Sequence, residues 1–281
     1  MSRHLVPRAL CAAVFLAALA AGGQAQGAEK PDVPEPGEIG KGVMWLPSED
    51  MMVRRMLDMA QVTKRDFVVD LGSGDGRTVI AAARRGARAL GVEYNPRLVE
   101  HSRRLAREAG VGDRASFVQG DLFDADLSQA TVITLFLLEE MNLKLRPKLL
   151  GLKPGTRVVA NTFPMGEWRA DASAKVTVKQ RCTSYCDVYF WIVPANVEGS
   201  WRLPEGELTI SQRFQMLTGT LRTGAAATAI KGRMAGDRIS FSAGSAEYRG
   251  RVGAGGITGT YKSSNGTGAW SATRLRQSPP A

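Results

Sequence analysis

A chain of 281 residues, 44% of them hydrophobic, is long enough for a large core, and a domain of about 150 residues with a smaller companion is the natural division. The formal charge of +10 is uneven, +3 over residues 1–160 and +7 beyond. The later basic residues, such as Arg222, Lys231, Arg238 and Arg251, are dispersed as on a solvated β surface, so nucleic acid is disfavoured as a partner. Outside the N-terminal segment only His101, Cys182 and Cys186 remain of the histidines and cysteines, which leaves Ser-His-Asp chemistry and a zinc site without support. His101 falls among Leu98, Arg103 and Arg104 on a predicted helix and reads as structural.

Arg3 and Arg8 precede an apolar run from Ala9 to Ala21, and small residues follow to Ala28. That is the layout of a secretory signal peptide over 1–27, with cleavage after Ala25 or Gly27, and the run is short for a membrane span. Export to the periplasm is the direct expectation, with no transmembrane span in the mature chain. An uncleaved anchor facing the cytosol is the alternative. Residues 28–42, rich in Pro, Gly and Glu, read as a flexible leader.

Order is expected from Val43, where a domain spanning 43–198 begins. Pro47-Ser48 before Glu49-Asp50 marks a helix start, and Met52, Met56, Leu57, Met59 and Ala60 recur at helical spacing. The stretch Phe67 to Thr78 organises the rest. An apolar β-branched run stops at Asp70, a turn with Gly72, Ser73, Gly74, Asp75 and Gly76 follows, and a helix over 77–86 begins. Alternate glycines let a ligand approach main-chain N–H groups at a helix start. The next strand, 88–93, ends in Glu93, placed to accept hydrogen bonds from a ribose diol. The G-x-G-x-G spacing and the acids Asp70 and Asp75 disfavour a pyrophosphate. S-adenosylmethionine, with a sulfonium, an ammonium and no phosphate, suits such carboxylates.

This segment resembles the first motif of the class I S-adenosylmethionine-dependent methyltransferases. The resemblance implies a Rossmann-like α/β sheet, and the alternation continues accordingly: helix 96–109 opened by Pro96, strand 115–119, a fourth strand 130–136, helix 143–150 and strand 156–160. It implies that Asp121 meets the adenine amino group and that Leu122 packs on the ring, with Tyr94 beside Glu93. Asp121 capping a turn is the plainer alternative. A pair of strands at 174–180 and 187–193 would supply the antiparallel hairpin of that fold.

Within the class, Leu46-Pro47-Ser48, Asp70 to Arg77 and Gly91-Val92-Glu93-Tyr94-Asn95-Pro96 are similar to a small lysine methyltransferase family that includes enzymes acting on the adenine nucleotide translocase and the ATP synthase c-subunit. The likeness covers roughly 43–165 and implies a protein methyl acceptor, with Trp45 and Pro47 near the site. The chain departs from it after the fourth strand, where Glu139 and Glu140 replace an expected proline. A turn over 138–142 there would line the transfer site, and Glu139 and Glu140 are the candidates to order an acceptor amine. Cys182 and Cys186 flank a three-residue loop and are expected to bridge in an oxidising space.

From Gly199 alternation replaces helical spacing. About eight short strands with glycine-bearing turns over 199–276 argue an antiparallel β domain, a small barrel or a sandwich. It carries no nucleotide or metal motif, and stability, docking or binding of a partner are all open to it. The reading is a methyltransferase directed at a protein lysine. The rival is an exported two-domain binding protein that keeps the fold without turnover.

Overall fold

The computed structural model describes Met1 and residues 34–37, 44–177 and 182–275. The segment read as an export signal, most of the leader and residues 178–181 lie outside the described residues. Pro34–Gly37 departs from the expected loose leader. Pro34 is buried, and Gly37 donates from its amide to the Trp45 carbonyl at 2.9 Å, which returns this piece to the chain just ahead of the first helix.

Strands β1 (Phe67–Leu71), β2 (Arg88–Glu93), β3 (Ala115–Gln119), β4 (Val132–Leu135), β5 (Arg157–Asn161), β6 (Ala172–Lys175) and β7 (Asp187–Ile192) form one sheet in the order β3-β2-β1-β4-β5-β7-β6. The first five are parallel, and β7 runs against both of its neighbours. β1 is central, pairing β2 through Asp70↔Gly91 and β4 through Asp70↔Thr134. Its successive valines enter opposite cores, as strands covered on both faces require. Val68 packs with Met52, Met56 and Leu57 of α1 (Asp50–Met59), and with residues of α2 (Arg77–Arg84) and α3 (Pro96–Glu108). Val69 packs with Leu145 and Leu149 of α4 (Glu139–Leu150) and with Trp168 and Trp191.

The local signals explain most boundaries. Pro96 opens α3, and the Asn95 side chain caps it by accepting from the Arg97 amide at 2.9 Å. α4 corrects the sequence reading, because it starts at Glu139 rather than 143 and converts the expected 138–142 turn into helix. Leu138 offers it no capping side chain, so the usual start signal is missing, but Glu139 and Glu140 in the first turn suit the positive end of a helix. β4 is correspondingly shorter than the 130–136 run, and β6 lies at 172–175 rather than 174–180.

The C-terminal strands settle the choice between sandwich and barrel. β8 (Gly199–Leu203), β9 (Gly206–Arg213), β10 (Met216–Thr223), β11 (Ala226–Ala235), β12 (Arg238–Ala243), β13 (Ala246–Gly253), β14 (Gly256–Ser263) and β15 (Gly266–Arg274) form a meander that closes where β15 meets β8. Trp201, Leu208, Ile210, Ile230, Ile239, Phe241 and Ile257 fill its interior. The Phe241 and Tyr248 rings stack at 4.6 Å. This is a packed core rather than a channel.

The barrel rests on the segment between β5 and β6. The Gln215 side chain donates to the Arg169 carbonyl at 2.7 Å, Phe214 stacks on Trp168, and Arg233 pairs with Asp171. The Asp171 side chain, 8% exposed, also accepts from the Ile192 amide at 2.8 Å, so one carboxylate joins the sheet edge to the barrel. Asp171→Ala is expected to destabilise the protein by about 2 kcal/mol, because a buried amide and a guanidinium both lose their acceptor. The measurement is the urea midpoint, and an unchanged midpoint would remove Asp171 from the joint.

Candidate active site

A cavity of about 290 Å³ opens beyond the carboxyl ends of β1, β2 and β4, where an open α/β sheet places its ligands. Asp70, Gly72, Ser73, Gly74, Asp75, Glu93, Tyr94, Asp121 and Leu122 all line it, together with Trp45 and Pro47 of the leader. Gly76 is one step removed as the left-handed residue, φ 78°, that launches α2. Among the described residues, those of the barrel contribute nothing to this lining.

The loop's geometry shows why its residues are what they are. Gly74 has φ 53°, and a Cβ there would overlap the Trp45 indole, so the leader lies directly on the glycine turn. Arg77 holds the leader down by donating to the Ser48 carbonyl at 2.8 Å. The same guanidinium grips Asp75, with contacts of 2.6 and 3.0 Å. Asp75 is therefore paired with its neighbour two residues on while it still lines the cavity.

Glu93 is fixed as the end of β2. Its two carboxylate oxygens accept from the Gly74 and Asn95 amides, each at 2.9 Å, and each oxygen keeps a lone pair for a ligand hydroxyl. Asp121 accepts from the Phe123 amide at 2.9 Å, so the turn-capping role is real, while the half-buried residue still faces the cavity. Leu122 and Leu137 flank Gly72, with Cδ2 atoms 3.9 and 3.0 Å from the place of an added Cβ. Tyr94 stands on the rim, 49% exposed.

Asp70 has the most perturbed chemistry. It is buried, and burial raises its pKa from 3.8 to about 7, assisted by repulsion from Asp75 and Glu93 and opposed by the Thr134 hydroxyl, which donates to it at 2.5 Å. A ligand cation would relieve that penalty.

Three further residues matter that sequence reasoning did not single out. Gly91 faces Ser73, whose Oγ lies 2.5 Å from the place of a Gly91 Cβ. The Ser73 hydroxyl is thus buried against β2 without a hydrogen-bond partner among the described residues. The Gly72 and Ser73 amides donate to the Val92 carbonyl at 2.9 and 3.1 Å and the Gly74 amide to Glu93, which corrects the expectation that the main-chain N–H groups of this turn await a ligand. Ser102 of α3 donates to the Gly74 carbonyl at 3.0 Å from beneath the loop. Thr134 holds Asp70. A glycine inside a strand was a legible sign of close backbone approach; a serine on a helix and a threonine in a strand carried no such sign. Glu139 and Glu140 are corrected as candidates: both are exposed on the first turn of α4 and neither lines the cavity, because the helix begins early and turns them outward while Met141 and Lys144 face in. Lys144 lies over the Phe123 ring, 4.0 Å from its centroid. His101 contacts Arg104, as a structural residue would.

The site fits a cationic nucleoside without phosphates: buried Asp70, anchored Glu93, and a glycine turn open to close approach. With the sheet order, it defines a class I methyltransferase site for S-adenosylmethionine. Comparison with known proteins agrees. The family described as the ANTKMT methyltransferase domain matches residues 70–172. A protein-lysine N-methyltransferase of Saccharolobus islandicus is 44% identical over 137 residues, 48% of this chain and 85% of that protein. The mouse lysine N-methyltransferase of the ATP synthase c-subunit is 40% identical over 128 residues, 45% of this chain and 51% of that one, so the chain spans about half the length of this relative. A crystal structure described as an RNA methyltransferase from Salinibacter ruber with S-adenosyl-L-homocysteine has 47% identity and a TM-score of 0.50, covering 54% of this chain and 96% of that one. The chain belongs to the class I S-adenosylmethionine-dependent methyltransferases, in the family related to the ATP synthase c-subunit and adenine nucleotide translocase lysine methyltransferases.

Two outcomes follow from this geometry. Gly91→Ala should push Ser73 out of place and weaken S-adenosylmethionine binding by about tenfold or more, roughly 1.4 kcal/mol; calorimetric titration reads it, and unchanged affinity would deny the Gly91–Ser73 contact a role. Asp70→Asn is expected to weaken cofactor binding yet stabilise the ligand-free protein at pH 8. The folded pKa of about 7 lies above the ordinary 3.8, so the folded state keeps a proton that the unfolded chain loses, and stability declines as pH rises through that window. The amide variant lacks this decline, and thermal melts at pH 5 and pH 8 compare the two.

Proposed function

We propose that the protein transfers a methyl group from S-adenosylmethionine to a lysine side chain of another protein. Asp70, Glu93 and Asp121 hold the cofactor, which the turn lets approach closely because Gly72 and Gly74 have no side chains, Leu122 and Leu137 pack beside it, and Trp45 covers the glycine turn. The buried, raised-pKa Asp70 facing an otherwise phosphate-hostile cavity is the observation that carries the cofactor assignment. The names of the Saccharolobus and mouse relatives support lysine as the acceptor. When bound, S-adenosylmethionine supplies an electrophilic methyl on a sulfonium. The chain's own contribution is to align an amine with it and to keep water away, which accounts for most of the acceleration in a displacement of this kind.

Export and an oxidising setting form part of this proposal. The charged and apolar layout of residues 1–27 supports it, and so does the bond between Cys182 and Cys186. Among the described residues no helix is long and apolar enough to cross a membrane.

The test is titration of S-adenosylmethionine into the protein, with Glu93→Ala as control, followed by incubation with radiolabelled cofactor and, in parallel, a cell-envelope protein extract or total RNA. Micromolar binding, lost in the variant, and label recovered as methylated lysine are the expected results. Label in RNA instead, as the description of the Salinibacter structure suggests for that protein, would replace the acceptor class. Binding without transfer to either would favour a retained fold that no longer turns over.

A further inference from the structure

A second cavity, of about 120 Å³, adjoins the first. The two share Leu46, Pro47, Ser48 and Phe136 as a common wall, and the second lies outside the carboxyl ends of β4 and β5, where Phe136 follows β4 and Asn161 ends β5. It is small, and Leu46, Met52 and Phe136 line it with apolar surface alongside Glu49 and Tyr185. Asn161, 1% exposed, donates to the Ser48 hydroxyl at 3.2 Å, which ties the floor of the cavity to the leader that also covers the cofactor loop.

Two aromatic rings face this space. Phe136 and Tyr185 meet edge to face with centroids 5.5 Å apart, and Phe163 backs both, at 6.4 and 6.1 Å. Tyr185 arrives from a loop of unusual construction. Its φ is 55°, a left-handed conformation that a bulky residue adopts only when its surroundings impose it. The Cys182–Cys186 bond closes the loop around it, with Cα atoms 5.8 Å apart, and Cys182 is buried in the core that α1 also enters.

Resting on the lysine methyltransferase reading, we propose that this second cavity receives the acceptor lysine side chain, with Phe136 and Tyr185 as its cation-binding walls and the Cys182–Cys186 bridge as the clamp that presents Tyr185. The chemistry matches at each point. Four methylenes suit a small cavity with apolar lining, an ammonium is attracted to aromatic faces, and Glu49 in the lining has the complementary charge. The two cavities adjoin, with Leu46, Pro47, Ser48 and Phe136 lining both, so a side chain in the second lies next to the cofactor cavity. Tyr185 is a specificity-determining residue in this arrangement and does not touch the cofactor site.

The test uses the full chain saturated with S-adenosyl-L-homocysteine, whose binding is measured first. Nα-acetyl-trimethyllysine methylamide, a probe of fixed charge, is then titrated and followed by its methyl proton shifts, beside the neutral norleucine analogue. The trimethyl resonance should move upfield and the norleucine analogue should bind at least about fivefold more weakly. Tyr185→Ala should weaken the charged probe by about fivefold or more, Tyr185→Phe should retain it, and both should bind S-adenosyl-L-homocysteine with unchanged affinity, which certifies folding. The paired Cys182→Ser, Cys186→Ser variant should weaken the probe in the same direction.

Equal binding of the neutral analogue, or an unmoved Tyr185→Ala, overturns the acceptor site, and an unmoved serine pair overturns the clamp. If S-adenosyl-L-homocysteine fails to bind, or no protein lysine is methylated, the underlying functional reading falls and this inference falls with it. If lysine methylation persists with an unchanged acceptor KM in Tyr185→Ala, the inference alone falls.

Discussion

Asp70 lies one residue before the end of the central strand with its carboxylate out of water, held by one hydroxyl from Thr134 and close enough to Asp75 and Glu93 to feel both. Removing a carboxylate from water is unfavourable unless something compensates it, and the protein leaves that compensation incomplete. Much of the neighbourhood follows from this. Arg77 neutralises Asp75, which limits the repulsion, and Glu93 is committed to two backbone amides, which fixes its position. The residual preference at the floor of the cavity is for a cation. A phosphate would meet the same field with the wrong sign, so the buried acid both recruits one class of nucleoside and rejects another.

The leader completes this arrangement from outside the sheet. Trp45 lies against Gly74, Arg77 reaches the Ser48 carbonyl, and Asn161 reaches the Ser48 hydroxyl, so a short stretch ahead of α1 forms the roof of one cavity and the partition to the next. The site is thus a product of the glycine loop and a segment well upstream of it that approach within contact only because Gly74 has no side chain. The barrel stands apart from this chemistry. It is fastened near Asp171 and Gln215, beside the segment that follows β5, and it leaves both cavities to the sheet and the leader.

Much of the fold was legible because its signals are local. Strands flanked by cover on both faces must be continuously apolar, helices announce themselves through Pro96 and Asn95, and the β domain alternates at period two. The α4 start was not legible, since Leu138 offers no capping side chain and two glutamates after an apolar run look like a turn. The misplacement of Glu139 and Glu140 followed from that single boundary: a helix begun one turn early points them at solvent. Ser73 is a similar case. It lines the cavity as its place in the motif suggested, yet its hydroxyl is buried against Gly91, a contact between the loop after β1 and β2 that adjacency in sequence does not reveal.

Residue type and spacing within a few positions were enough to specify the parallel sheet, the glycine turn, the acid at each critical strand end and the cofactor they imply. How each acid is held emerged only in three dimensions, since Asp75 is paired with Arg77 while Asp70 is buried in the field of its neighbours. The closure of the β strands as a barrel, the contact of Trp45 with Gly74, and the meeting of Tyr185 with Phe136 on one wall emerged in the same way. Those outcomes rest on burial and on contacts between distant segments, and such contacts are set by the packing of the whole chain.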